Sequence, residues 1–119
     1  MNQRDFNSIL NNRILKTKTI LQSKGAEYSS SIDRLHNFKV AAQMSSTGES
    51  PEQALWGMLR KHLVSVLGMV NAAGSVEISP HVIDEKIGDS INYLILLESL
   101  LRERLLITLQ EERKENVQE

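Results

Sequence analysis

The chain has 119 residues, of which 40% are hydrophobic and 24% are charged, a composition typical of a single soluble globular domain. Its 14 Lys and Arg are balanced by 15 Asp and Glu, which argues against a nucleic-acid partner, since such proteins carry a basic excess. Cysteine is absent, which excludes disulfides, thiol catalysis and cysteine-based zinc sites.

The first two predicted helices are bounded by small and polar residues. Apolar residues at helical spacing predict a helix over about 5–23, which the glycine at position 25 ends. A start resembling a capping box at Ser30 predicts a second helix, which ends in the small polar loop 45–48.

The third and fourth predicted helices each begin with a Ser-Pro pair. Ser50 is a natural N-cap, Pro51 suits the first helical position, and Gln53 completes a capping box. The second pair, at 79–80, predicts a fourth helix that runs from 81 past 104.

No run of alternating β-branched residues bounded by turns indicates a strand. We therefore expect an all-α fold, a bundle of four or five helices in a single domain. It comprises an N-terminal helix over about 1–23, a core bundle over 24–106 and a charged C-terminal tail over 107–119 that frays.

Membrane spans and export signals are not indicated. The longest run without a charged residue, 63–76, has 14 residues, whereas a spanning helix needs about 20 apolar residues. The N-terminal stretch carries Arg4, Asp5 and Arg13 and lacks the apolar segment of an export signal. We therefore expect a cytoplasmic protein with no membrane partner.

The fourth predicted helix is apolar on two sides. Leu96 and Leu100 lie opposite its expected core face and must also be covered, either by another helix or by a second subunit. We therefore expect a homo-oligomer. The expected core face consists of Ile83, Ile87, Ile91, Leu94, Leu101 and Leu105.

Polar residues on this helix predict a groove. Glu85, Asp89, Asn92 and Tyr93 fall within one helical sector and continue the stripe that Leu96 begins. The alternative reading of this set is an exposed first turn, where acidic residues suit the helix dipole.

Two further polar sets are candidates for ligand binding. The third helix carries Lys61 and His62 next to its apolar face, and the alternative reading is a pair of solvated flank residues. On the second helix, His36 and Asn37 lie away from the apolar face and are followed by Lys39.

Four short motifs, taken in order, resemble a known family. They are Gly-Ala-Glu-Tyr at 25–28, Arg-Leu-His-Asn-Phe-Lys at 34–39, Lys-His at 61–62, and Asp-Glu-Lys-Ile-Gly-Asp-Ser-Ile-Asn-Tyr-Leu at 84–94. Over about 24–101, the chain resembles the phage-type nucleotide-modification-associated domain group, which is similar to the all-α MazG-type nucleoside triphosphate pyrophosphohydrolases. The resemblance implies an oligomeric bundle that holds a nucleotide between helices.

The sequence departs from the catalytic pattern of the MazG-type enzymes. The resemblance implies two acidic pairs on facing helices that hold Mg²⁺ beside a phosphate chain. Here Lys61 and His62 stand where one pair is expected, and Lys86 replaces a second acid. Glu85 and Asp89 remain as candidate metal ligands, so the magnesium site is at least half missing and Mg²⁺ is a candidate cofactor rather than an established one.

Three functions follow as hypotheses. The first is a phage-encoded anti-defence protein that sequesters a nucleotide or nucleotide signal without hydrolysing it. In this hypothesis lysine and histidine contact phosphate, and tyrosine stacks on a base. Asp89 and Asn92 form hydrogen bonds with the edge of that base or with a ribose hydroxyl. The candidate ligand-binding residues are Tyr28, His36, Asn37, Lys39, Lys61, His62, Asp89, Asn92 and Tyr93.

The second hypothesis is a magnesium-dependent pyrophosphohydrolase that uses Glu85 and Asp89, with Asp33 or Glu27 completing the site. The third is a protein-interaction module that inhibits a host factor and needs no small ligand.

Overall fold

The structure is a computed structural model that describes residues 1–28 and 33–118. Four helices make up this part of the chain: α1 (Gln3–Tyr28), α2 (His36–Gln43), α3 (Pro51–Ala72) and α4 (Pro80–Gln118). These residues contain no strand, so the predicted all-α class is confirmed. No helix among them is long and apolar enough to cross a membrane.

The predicted starts of α3 and α4 are confirmed. The Ser50 Oγ accepts a hydrogen bond from the Gln53 backbone N–H at 3.1 Å, and the Gln53 side chain accepts one from the Ser50 N–H at 2.8 Å. At α4, the Val82 N–H donates to the Ser79 Oγ at 3.2 Å. These caps form within three residues of chain, which is why the sequence alone predicts them.

The other helix boundaries differ from the prediction. Helix α1 continues past position 25, because one glycine costs a helix only about 1 kcal/mol. Asp33 accepts the Leu35 N–H at 3.0 Å in a turn, so α2 starts at His36; the predicted start at Ser30 lies outside the described residues. The predicted frayed tail is helical through Gln118, since its Glu, Arg and Lys are good helix formers.

The core lies between α2, α3 and α4. Leu55 and Leu59 of α3 are fully buried and pack with Leu35, Phe38 and Leu100. Burying a leucine stabilises a fold by about 2 kcal/mol.

The predicted core face of α4 is wrong. Leu100 is buried and Leu96 packs against the core, whereas Leu94, Leu101 and Leu105 are exposed. Helical periodicity shows that α4 has two apolar stripes, but only the positions of α2 and α3 decide which stripe turns inward.

Helix α1 contacts α4 through Arg13 and Lys16. The Arg13 guanidinium donates to the Asp84 carboxylate at 2.6 Å, and Lys16 donates to the same carboxylate at 2.7 Å. A Cβ atom at Gly88 would lie 2.6 Å from Arg13 Nη1, so glycine allows this close crossing. The apolar stripe predicted on α1 is exposed at Phe6 and Ile14.

Candidate functional site

A polar cluster forms where α3 faces α4. The His62 ring of α3 lies 4.9 Å from the Tyr93 ring of α4, with the ring planes tilted by 31°. The Asp89 carboxylate, one turn before Tyr93, lies 3.7 Å from His62 Nδ1. We call these three residues the α3–α4 cluster.

Burial shapes the chemistry of this cluster. Removal from water raises the pKa of the Tyr93 phenol, and the nearby Asp89 carboxylate raises it further. Tyr93 is therefore a neutral hydroxyl that can donate a hydrogen bond at physiological pH.

A cavity of about 510 Å³ lies between α3 and α4 near the start of α4, and its lining includes Ser65 and Lys86, each about one helical turn from a cluster residue. Gly68 and Ala72 leave room along α3, and the Ser65 and Ser79 residues contribute hydroxyl groups to its lining. Lys86 supplies a cation, with its ammonium 3.7 Å from the neighbouring Glu85 carboxylate. We call the cavity together with the cluster the α3–α4 groove.

The charge of this groove is mixed rather than purely positive. Lys61, expected to make the crevice electropositive, is exposed. Asp89 lies against His62, and Glu77 lines the cavity with Lys86. The cation that lines the groove is therefore Lys86 rather than Lys61. Lys86 was not among the predicted ligand-binding residues.

The two candidate metal ligands have separate neighbours. Glu85 is half exposed and lies 3.7 Å from His81, whereas Asp89 lies beside His62. Over the described side chains, no three His, Asp or Glu residues group as metal ligands do. These residues do not fit the acidic cage that holds Mg²⁺ in the enzymes the sequence resembles.

Asn92 is buried, and its side-chain oxygen has no hydrogen-bond partner among the residues that the structure describes. An unpaired buried amide is unfavourable, so its burial is a feature that hydrophobic packing alone does not explain.

The second-helix candidates lie elsewhere. Lys39 donates to Asp33 at 2.7 Å and contacts Glu103 at 2.6 Å. These hydrogen bonds raise the pKa of Lys39 and lower that of Asp33. Glu103 follows Asp89 by 14 residues, or about 21 Å along α4, which separates Lys39 from the groove.

His36 and Asn37 are exposed beside this ion pair, consistent with their predicted position away from the apolar face. The side chain of Tyr28 lies outside the described residues. Of the predicted ligand-binding residues, the structure therefore brings together His62, Asp89 and Tyr93.

One ion pair in the structure was not predicted from the sequence. The Arg104 guanidinium donates two hydrogen bonds to the Glu52 carboxylate, both at 2.9 Å. The Arg104 hydrogen bonds hold the pKa of Glu52 below its usual range. Because 52 residues separate the partners, no local pattern links them, and the pair joins the start of α3 to α4.

Comparisons with protein families, with curated proteins and with solved structures find no match. The resemblance to the nucleotide-modification-associated group therefore stays a prediction. Function is inferred from the residues of the α3–α4 groove.

Proposed function

We propose that this protein binds a nucleotide-like, phosphate-bearing small molecule in the α3–α4 groove without hydrolysing it. The supporting observation is the order of groups along α4. Lys86 and Tyr93 are seven residues apart, which puts them on the same helix face about 10 Å apart. A cation and an aromatic pair at this separation suit the two ends of a nucleoside phosphate.

Each end of the groove suits one part of a nucleotide. At the cavity end, the Lys86 ammonium attracts phosphate as a point charge, and the Ser79 hydroxyl, which accepts the Val82 N–H, has its own proton to donate. At the cluster end, the His62 and Tyr93 rings offer an aromatic surface for a base. The Asp89 carboxylate accepts hydrogen bonds from a ribose hydroxyl or an exocyclic amine.

The arrangement favours binding over hydrolysis. Hydrolysis of a phosphate chain requires a fixed metal ion or an activated water next to the phosphate. Glu77 and Glu85 lie near Lys86 at the cavity end, but over the described side chains no three carboxylates or histidines group as metal ligands do.

Calorimetric titration with nucleoside mono-, di- and triphosphates tests the proposal. Wild-type protein should bind one class at one site per chain, with the nucleotide recovered intact. Lys86→Gln should weaken binding at least tenfold, because removing a close charge from a phosphate costs more than about 1.4 kcal/mol. Lys114→Gln, on the exposed end of α4, is the matched control and should bind normally.

Two results would overturn the proposal: absence of heat with every nucleotide, or equal loss of binding in both lysine variants. Magnesium-dependent release of phosphate or pyrophosphate, abolished by Asp89→Asn, would support the pyrophosphohydrolase instead.

A protein-interaction module is the second candidate function, and exposed apolar side chains on α3 favour it. Val64, Leu67 and Val70 are all more than half exposed on this helix. Recovery of one stable protein partner, together with no thermal shift from any nucleotide, would support this function.

A further inference from the structure

Helix α4 extends beyond the body of the protein. It has 39 residues, or about 58 Å, nearly the full 63 Å length of the molecule. All its residues from 104 to 117 are exposed. Five large apolar side chains lie in this stretch: Leu105, Leu106, Ile107, Leu109 and Val117.

The whole chain exposes more surface than a folded monomer of its size. Its accessible area is 9195 Å², compared with roughly 6,500 Å² for a compact monomer of 13.4 kDa. Its radius of gyration is 18.4 Å, compared with about 13.5 Å for a compact domain of this length. The excess area, about 2,700 Å², exceeds the roughly 800 Å² that each partner contributes to a standard interface.

The exposed side of α4 carries a regular seam. Six residues follow one another at intervals of four, three, four, three and four, the spacing of a coiled-coil contact face. This face is opposite the one that carries Lys86, Asp89 and Tyr93. We call it the α4 seam; it consists of Ile91, which is half-buried, and the exposed Ile95, Glu98, Arg102, Leu105 and Leu109, and it begins just after the Gly88 contact with α1.

The α4 seam matches a second copy of itself that runs in the opposite direction. If two copies of α4 pair antiparallel about position 100, Ile91 faces Leu109 of the second copy, and Ile95 faces Leu105. At the centre, Glu98 faces Arg102 of the second copy, so opposite charges meet twice. A two-fold interface requires this match of a surface with itself.

We infer that a second copy of this chain covers the α4 seam in an antiparallel pair. The inference does not depend on the nucleotide proposal, because the groove occupies the other face of α4. In a single chain, Arg102 bonds Glu98 at 2.6 Å, and in the pair these charges also face across the interface.

Light scattering on the full chain tests the pairing. Wild type at micromolar concentration should have a mass of about 27 kDa, twice the 13.4 kDa of one chain. Leu105→Glu should reduce the mass to that of one chain, because it buries two carboxylates in the interface. Val64→Glu makes the same change at an exposed site on α3 and should leave the pair intact. Circular dichroism checks that both variants remain helical.

Charge reversal tests the register. Glu98→Arg and Arg102→Glu each place like charges opposite one another, so each variant alone should pair more weakly than wild type. When the two variants are mixed, they should form a heterodimer in preference to either homodimer. Native mass spectrometry measures the amounts of the three species. This preference cannot come from the contact within one helix, because both variants have lost it.

Crosslinking tests the orientation in this cysteine-free chain. Chains with Ile95→Cys mixed with chains carrying Leu105→Cys should form a covalent dimer, and Ile95→Cys alone should not. A wild-type mass of one chain would overturn the inference, as would crosslinking of Ile95→Cys with itself. Nucleotide binding by a single-chain species would leave the proposed function intact while the pairing fails.

Discussion

Asn92 illustrates how a folded protein can contain a single buried side chain that is unfavourable for its stability. It is buried with an unpaired carbonyl oxygen, whereas the nearby buried Ser90 donates its hydroxyl to the Lys86 carbonyl at 2.9 Å. The two residues therefore make a matched pair among the described residues: a buried side-chain oxygen without a hydrogen-bond partner in Asn92 and a buried hydroxyl with one in Ser90.

We predict that Asn92→Leu stabilises the protein by about 1 kcal/mol, because the change removes an unpaired polar atom and keeps the branched shape and the number of heavy atoms. Urea unfolding measures the change. Ser90→Ala, which removes a satisfied hydroxyl, should stay within about 0.5 kcal/mol of wild type. A destabilised Asn92→Leu would show that the amide is not an unfavourable group.

Glu52 links stability to pH. Its folded-state pKa is lowered by the Arg104 hydrogen bonds, so its contribution is fully present above the unfolded pKa and is lost as the pH falls through the folded pKa. We therefore predict that Glu52→Gln flattens the acid side of the melting-temperature profile, below about pH 4.3. Thermal melts across this range measure it, with Glu115→Gln as the exposed control. An unchanged acid slope in Glu52→Gln would contradict the prediction.

At the scale of the helices, local signals were sufficient for some features and insufficient for others. The cap at Ser50 acts within one turn, so the sequence predicts where α3 begins. The inward face of α4 depends on partners far along the chain, so Leu94 was assigned to the core and is exposed. Lys86 was not predicted for the same reason, because its position in the groove depends on how α3 and α4 face each other.

The contact of α1 with α4 yields a prediction about glycine. Gly88→Ala should push the Arg13 guanidinium away from α4 and weaken its bond to Asp84, while alanine strengthens α4 itself by up to about 1 kcal/mol. Hydrogen exchange should become faster in α1 and remain slow in the core around Leu59.

Gly57→Ala on α3 is the matched control, because a Cβ at that position meets no atom within 4 Å. It should leave exchange in α1 unchanged. Equal acceleration in both variants would mean that the Arg13 contact does not hold α1 in place.

At the scale of the whole molecule, the elongated shape dominates. The sequence predicted that Leu96 and Leu100 need cover from another helix or from a second subunit, and the core of the same chain supplies it. The overall shape depends on how far α4 continues beyond α2 and α3, and no short pattern encodes that distance.

We predict that the melting temperature rises with protein concentration, because association stabilises only the folded chain. Calorimetric melts over a hundredfold concentration range measure the rise, which Leu105→Glu should abolish. A melting temperature independent of concentration in the wild type would argue for a stable single chain.

The length of α4 also determines the number of ligands in such an assembly. Asp89 lies 11 residues from the centre of the proposed pair, so the two grooves are about 33 Å apart at opposite ends. Each groove is then built from one chain, so we expect a stoichiometry of two ligands per dimer. A molecule with two linked nucleotide groups would bridge them only with a long spacer.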